Sequence, residues 1–202
     1  MNQDQIKQLN EAVEAVKTRK IENVYFVACG GSKAIFDPAQ FIFDRETTLP
    51  SFVYNANEFI HRCPKGLGEN SLVVTCSHSG NTLETTRATQ LAGDKGALTI
   101  SFSYRVDSPL WKATQHPISY VWGPESDPGD NNNGMLYRLV FSILNVLQPN
   151  EKYERAIKAC DNLGKVYEAN KAKFAESAKA FGKKYKNNKL IYTMSSGPCY
   201  GV

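Results

Sequence analysis

The chain has 202 residues, of which 24 are basic and 20 are acidic, and its formal net charge is +4. This length predicts one domain or two small ones, and an apolar fraction of 42% is sufficient for a sizeable core. The composition excludes a membrane-spanning protein, because no apolar run is long enough to cross a bilayer, and the lysine-rich C-terminal third predicts a solvated helix face rather than a nucleic-acid surface.

Hydrophobic periodicity predicts an N-terminal helix followed by strands that alternate with helices. The helix is marked by Ile6, Leu9, Val13 and Val16, which recur at helical spacing. The predicted strands are 23–28, 51–54, 72–76, 97–102 and 118–122. The predicted helical segments begin at Ser32, with Pro38 in the early turns, and continue at 57–61, 82–91, 135–147 and 153–185, with a loop at 123–133. This alternation predicts an α/β fold, a doubly wound five-stranded parallel sheet flanked by helices.

Two predicted strands end in loops of glycine and hydroxyl residues. The first loop is Cys29-Gly30-Gly31-Ser32, and the second is Ser77-His78-Ser79-Gly80-Asn81-Thr82. Such a loop presents backbone N–H groups and hydroxyls at a helix N-terminus, which favours an anion. With the common flavodoxin-like strand order 2-1-3-4-5, both loops border the crevice between strands 1 and 3. Because no Walker lysine motif is present, the sequence predicts a phosphorylated small molecule rather than a nucleotide.

The candidate substrate-binding residues belong to these two loops. They are Gly30, Gly31, Ser32, Ser77, His78, Ser79, Asn81 and Thr82. The glycines let the backbone approach an oxyanion, and the hydroxyls donate hydrogen bonds to phosphate oxygens. Taken alone, each hydroxyl residue is equally consistent with an ordinary cap or turn. For His78 two alternatives stand: its backbone N–H serves the phosphate while the ring points elsewhere, or the ring shuttles protons.

The cysteines indicate neither a metal site nor a disulfide framework. The chain has five cysteines and no CxxC pair, which argues against zinc. Cys29 and Cys76 end strands, where a buried, inert thiol is expected. The odd number of cysteines and the lack of a signal peptide predict a reducing cytoplasmic location.

The last residues resemble the beginning of the domain. When Val24 is aligned with Leu190, Gly31 falls on Gly197 without a gap. We therefore expect a first domain at 1–150, connecting helices at 151–186, and the truncated start of a second copy at 187–202. A chance strand followed by glycine is the alternative.

The second loop resembles the Ser-x-Ser-Gly-x-Thr-x-Glu loop of the sugar isomerase (SIS) family. Cys29-Gly30-Gly31-Ser32 resembles the first loop of that family, and Asn57-Glu58-Phe59 resembles its Ser-Glu-Phe segment. The chain is most similar to the N-terminal part of bacterial fructosamine 6-phosphate deglycases, which act on fructoselysine 6-phosphate or 6-phosphofructose-aspartate. That similarity includes 27–32, 54–60, 77–82, 107–110 and 191–197, and so extends over nearly the whole chain.

The resemblance implies a cytosolic, cofactor-free homodimeric enzyme that takes a phosphorylated sugar-amine conjugate and releases glucose 6-phosphate and a free amine. It also implies that the acid and base are a His and a Glu of a second SIS domain. No catalytic residue is therefore assigned within these 202 residues, and we expect them to be inactive alone. Glu58 is then at most a first-repeat counterpart, and His61 and His116 are expected at the surface. The alternatives are an aldose–ketose isomerase and a non-catalytic sugar-phosphate sensor.

Overall fold

The computed structural model describes residues 1–124, 126–195 and 199. At its centre is a five-stranded sheet in the order β2-β1-β3-β4-β5, in which every pair is parallel. The strands are β1 (Asn23–Ala28), β2 (Ser51–Asn55), β3 (Ser71–Cys76), β4 (Leu98–Ser103) and β5 (His116–Ser119). The predicted fold class and strand order are confirmed.

Helices cover both faces of the sheet. They are α1 (Gln3–Lys17), α2 (Gly30–Ala34), α3 (Phe36–Glu46), α4 (Ala56–Arg62), α5 (Leu83–Asp94), α6 (Pro109–Ala113), α7 (Asn132–Leu147), α8 (Glu151–Cys160) and α9 (Leu163–Tyr185). Side chains alternate along a strand, so Val24 and Phe26 of β1 pack towards α1, α3 and α7. Tyr25 and Val27 pack towards α4 and α5 on the opposite face. The central strands are thereby buried on both sides.

Several elements differ from the sequence-based prediction. The helical segment predicted from Ser32 forms two helices, α2 and α3, and α7 begins at Asn132 rather than at 135. Strand β5 ends at Ser119 rather than at 122, because the backbone then turns away and Val121 N donates to Asp130 O at 2.9 Å. Helix α6 was not predicted. The helix predicted at 153–185 is broken into α8 and α9. The first turn of α9 packs closely against the loop before α7, because a Cβ on Gly164 would lie 2.0 Å from Asp127 Oδ2.

Arg138 of α7 holds the break between α8 and α9. Its side chain is buried, and Nε donates to Gly129 O at 3.2 Å while Nη2 donates to Cys160 O at 3.0 Å. Nη1 pairs with the carboxylate of Asp161. Tyr153 of α8 is also buried in the core beside α7. Helix α8 is therefore an integral part of the fold.

Helix α9 carries a largely exposed apolar stripe, and residues 186–195 after it form neither helix nor strand. Val166, Tyr167, Phe174 and Phe181 are all more than half exposed. The strand expected near Leu190 does not form in residues 190–195, where a strand with no neighbour cannot pair its backbone groups. The predicted Gly197 counterpart of Gly31 lies outside the described residues. Within the described ranges, no helix is both long and apolar enough to cross a membrane.

Candidate functional site

The fold brings the two predicted loops together at one edge of the sheet. The last residues of β1 and β3, Ala28 and Cys76, are paired in the sheet, so the loops leave from adjacent strand ends. Thr85 Oγ1 of α5 donates to Cys29 Sγ at 3.9 Å, which joins the first loop to the helix that follows the second. Burial raises the pKa of the Cys76 thiol to about 12, and a hydrogen bond from the Ser32 hydroxyl opposes that shift. Cys76 is thus a buried, inert thiol at the end of β3.

The first loop offers open backbone. Gly30 has φ +55°, a conformation that favours glycine, and a Cβ on Gly30 or Gly31 would meet nothing within 4 Å. Both glycines are exposed. Helix α2 begins at Gly30, and among the described residues no side chain caps its N-terminus. Its first N–H groups are therefore accessible to a ligand.

The hydroxyls of the second loop are hydrogen-bonded to one another. Ser77 is buried, and its Oγ accepts from Gly80 N at 3.1 Å and lies 2.9 Å from Thr82 Oγ1. Asn81 N donates to Ser79 Oγ at 3.2 Å. Because the proton of Ser77 can be given to Thr82, the proton of Thr82 is left free for a ligand. Thr82 is half-buried at the N-cap of α5, so this proton lies at the helix N-terminus.

The segment that follows β4 donates backbone hydrogen bonds to the second loop, and these contacts were not predicted from the sequence. Leu110 N donates to Gly80 O at 3.0 Å, and Tyr104 N donates to His78 O at 3.2 Å. Ser108 is the N-cap of α6 and accepts from Trp111 N at 3.3 Å. A serine followed by proline at the first helical position was the signal that could have identified α6.

The ring of His78 lies in a cluster of aromatic side chains that we call the aromatic wall, formed by His78, Tyr104, Tyr120 and Trp122. His78 Nδ1 is 2.9 Å from the Tyr120 hydroxyl. Its ring stacks on Tyr104 with centroids 5.1 Å apart, and it meets Trp122 edge-on at 5.1 Å. Burial raises the pKa of Tyr120, so the phenol stays protonated and can donate to Nδ1. The ring is thereby held by its neighbours, and both alternatives for His78 stay predictions.

The other candidate proton-transfer groups lie outside the loops. Glu58 Oε1 pairs with Arg62 Nη2 at 3.0 Å along α4, which fits a structural role. His61 is exposed on α4. His116 is half-buried in the edge strand β5, and burial lowers its pKa. In the described part of the chain, no group of three or more His, Cys, Asp or Glu could hold a metal ion.

Comparison with known sequences identifies relatives of this chain. Residues 17–147 match the SIS domain. The chain is 46% identical over 197 residues to fructosamine deglycase FrlB of Bacillus subtilis, covering 97% of this chain and 60% of the relative. It is 28% identical over 194 residues to fructoselysine 6-phosphate deglycase of Escherichia coli K12, covering 92% and 54%. The chain thus spans little more than half the length of these relatives.

Two solved structures are similar to this chain over nearly its whole length. A Bacillus subtilis structure provisionally named a phosphosugar isomerase has a TM-score of 0.91 and 45% identity, over 96% of this chain and 60% of that one. A Salmonella typhimurium structure with the same provisional name has a TM-score of 0.88 and 32% identity, over 98% and 60%.

Proposed function

This chain belongs to the SIS domain family, and from that premise we propose that it is the N-terminal part of a fructosamine 6-phosphate deglycase. The observation that carries the proposal is the pair of adjoining loops at the ends of β1 and β3, which together offer open glycine backbone and the paired hydroxyls of Ser77 and Thr82. The names and similarity of the deglycase relatives support the choice of substrate class.

In this proposal the loops hold the 6-phosphate. The N–H groups of Gly30, Gly31 and Ser32 and the α5 N-terminus surround the anion, and the positive ends of both helices favour its charge. Thr82 donates its hydroxyl proton directly, and Ser77 orients Thr82. Backbone N–H groups of His78 and Ser79 and the exposed side chain of Asn81 complete the binding set.

The reaction requires groups beyond this anchor. A base removes a proton from C1 of the ketosamine while the C2 oxygen gains a proton, which gives an enaminol. An acid then protonates C2 and the nitrogen loses its proton, which gives an aldimine. Water adds to C1, and the C1–N bond breaks as the nitrogen takes up a proton, so that the amine leaves and C1 becomes the aldehyde carbon. Neither Glu58, which pairs with Arg62, nor the fixed ring of His78 is arranged for this transfer. We place the acid and base in a second SIS domain that opens at 187–202, after a first domain at 1–150 and connecting helices at 151–186. The whole enzyme is proposed to be a cytosolic homodimer without a cofactor.

A sugar-phosphate isomerase is the second candidate, because similar solved structures carry that provisional name. It would share the proton transfer between C1 and C2 but would release no amine.

Two measurements test the proposal. Calorimetric titration of residues 1–202 with fructose 6-phosphate, glucose 6-phosphate and fructoselysine 6-phosphate should show binding of each, and no binding would overturn the site. A chain that continues into a second SIS domain should release glucose 6-phosphate from fructoselysine 6-phosphate. Interconversion of fructose 6-phosphate and glucose 6-phosphate without amine release would favour the isomerase, and binding without turnover would favour a sensor.

A further inference from the structure

The aromatic wall exposes large ring faces beside the second loop. Trp122 is 57% exposed and Tyr104 is 44% exposed. His78 belongs both to the second loop and to the wall, so the wall begins within the proposed phosphate site. Exposed, contiguous apolar surface of this kind is typical of a contact with a ligand or partner.

The wall lies on the edge of the sheet where ligands of this fold class bind. Tyr104 directly follows β4, which ends at Ser103, and Tyr120 directly follows β5, which ends at Ser119. The carboxyl ends of all strands of a parallel sheet meet at one edge, so the wall continues the edge that carries the two loops. A ligand anchored at the second loop can therefore extend along β4 and β5.

Contacts among its own members hold the wall in one arrangement. Tyr120 is buried, and its hydroxyl is 2.9 Å from His78 Nδ1. The rings of His78 and Tyr104 are nearly parallel, at 5°, and Tyr104 N donates to His78 O at 3.2 Å. A surface that is already ordered loses little conformational entropy when a ligand binds to it.

Trp122 also borders a cavity of about 510 Å³ between the loop at 123–131 and helix α9. Its lining in the described part of the chain includes Pro124, Pro128, Asn131 and Tyr167, none of which carries a charge. This volume lies within the usual range for small-molecule sites, roughly 300–1,000 Å³. The cavity therefore has room for a chain that passes over Trp122.

We propose that the aromatic wall binds the amine-bearing half of a ketosamine 6-phosphate, an inference that rests on the proposed function. The secondary amine of such a substrate is protonated near neutral pH, and ring faces of Trp and Tyr attract a cation. The same faces repel an anion, so the phosphate stays at the loops while the ammonium group lies on Tyr104 and Trp122. The chain attached to the nitrogen then enters the cavity beside Trp122.

Fluorescence provides a direct test, because the chain has two tryptophans, Trp111 and Trp122. In Trp111→Phe, Trp122 is the sole reporter. Fructoselysine 6-phosphate should change its emission at saturation clearly more than fructose 6-phosphate does, since the second ligand has the phosphate but no amine. Equal changes with the two ligands would overturn the inference.

Affinity ratios give the second test. Trp122→Ala should reduce the preference for fructoselysine 6-phosphate over fructose 6-phosphate by about three- to thirtyfold, the range of a cation–π contact. Trp122→Phe should retain most of that preference, and Phe41→Ala, which removes an exposed ring on α3, should change neither ligand's affinity. The affinity for fructose 6-phosphate should stay constant throughout.

The outcomes separate the two hypotheses. An unchanged ratio in Trp122→Ala, or equal weakening of both ligands, would overturn the role of the wall while the proposed phosphate site stands. Failure of the wild-type chain to bind either ligand would overturn the proposed function and this inference with it.

Discussion

Gly80 approaches Ser108 so closely that a Cβ on Gly80 would lie 2.0 Å from Ser108 Oγ and 2.9 Å from Ser103 Oγ. Gly80 also has φ +66°, which side chains rarely adopt. The second loop is therefore seated directly on the N-cap of α6, and its conformation depends on residues almost thirty positions away in the chain.

The first prediction concerns this contact. Gly80→Ala should lower the free energy of unfolding by at least about 2 kcal/mol, from the strained backbone and the forced displacement of Ser108. Urea unfolding measures the change. The matched control is Gly93→Ala within α5, where a Cβ would meet nothing within 4 Å, and a gain of about 0.5–1 kcal/mol is expected. Equal stabilities of the two variants would contradict this account.

The second prediction concerns the hydroxyl pair of the proposed phosphate site. Ser77→Ala with Thr82→Ala removes the Thr82 hydrogen bond to a charged ligand, worth about 1.5–3 kcal/mol, together with the hydroxyl that orients Thr82, so affinity for fructose 6-phosphate should fall roughly 10- to 150-fold. The affinity losses of the two single variants should not be additive, because the two hydroxyls share one hydrogen bond. Isothermal titration measures the losses. Thr18→Ala, at the C-terminus of α1, is the control, and wild-type binding by the double variant would refute the site.

Much of the framework could be predicted because it depends on local patterns. The bounds of β1 and the strand order follow from buried apolar runs alternating with helices, and they agree with the structure. The aromatic wall could not be predicted, because its members lie in three separate segments that only the sheet order brings together. Residues 120–122 continue the apolar run of β5, yet Tyr120 and Trp122 pack on His78 instead of extending the strand. Periodicity alone does not reveal such a competing contact.

The third prediction concerns pH. Burial, together with Arg19, lowers the pKa of His116, while Glu11 acts in the opposite direction. As pH falls through about 6.5, the unfolded chain binds a proton that the folded chain does not, so stability decreases until the folded-state pKa is reached. His116→Gln should therefore lose less stability than wild type between pH 7.5 and 5.5. Urea midpoints at both values measure this, and His61→Gln, at an exposed site, should behave as wild type. An equal loss of stability in His116→Gln and wild type would contradict a lowered pKa of His116 in the folded chain.

The fourth prediction separates binding from turnover. Residues 1–202 should bind glucose 6-phosphate, because both loops are present, but should not release it from fructoselysine 6-phosphate above background. General acid–base catalysis contributes about 10²–10⁴-fold per group, and the proposed groups lie elsewhere. An enzyme-coupled assay for glucose 6-phosphate measures release. Sustained turnover by these residues would move the chemistry to Glu58 or His78, and Glu58→Gln and His78→Asn would then identify which.

The fifth prediction concerns assembly. The stripe of Tyr167, Phe174 and Phe181 on α9 repeats every seven residues, which is suited to contact with another surface. If the proposed homodimer uses this stripe, Phe174→Lys with Phe181→Lys should weaken association more than tenfold, since each buried aromatic side chain contributes about 1.5–3 kcal/mol. Light scattering across a concentration series measures this. Lys179→Ala is the control, and a dimer unaffected by the double change would place the interface elsewhere.

The contacts of Arg138 set a limit on where this protein can be divided. A shortened chain that ended at residue 150, after α7, would leave the Arg138 guanidinium without the carbonyl of Cys160 and the carboxylate of Asp161, and would uncover the site of Tyr153. An uncompensated buried charge is strongly destabilising. For protein engineers, a fusion, a split pair or a domain graft should therefore retain α8 and the first turn of α9, even though the recognisable sequence motif of the domain ends near residue 147.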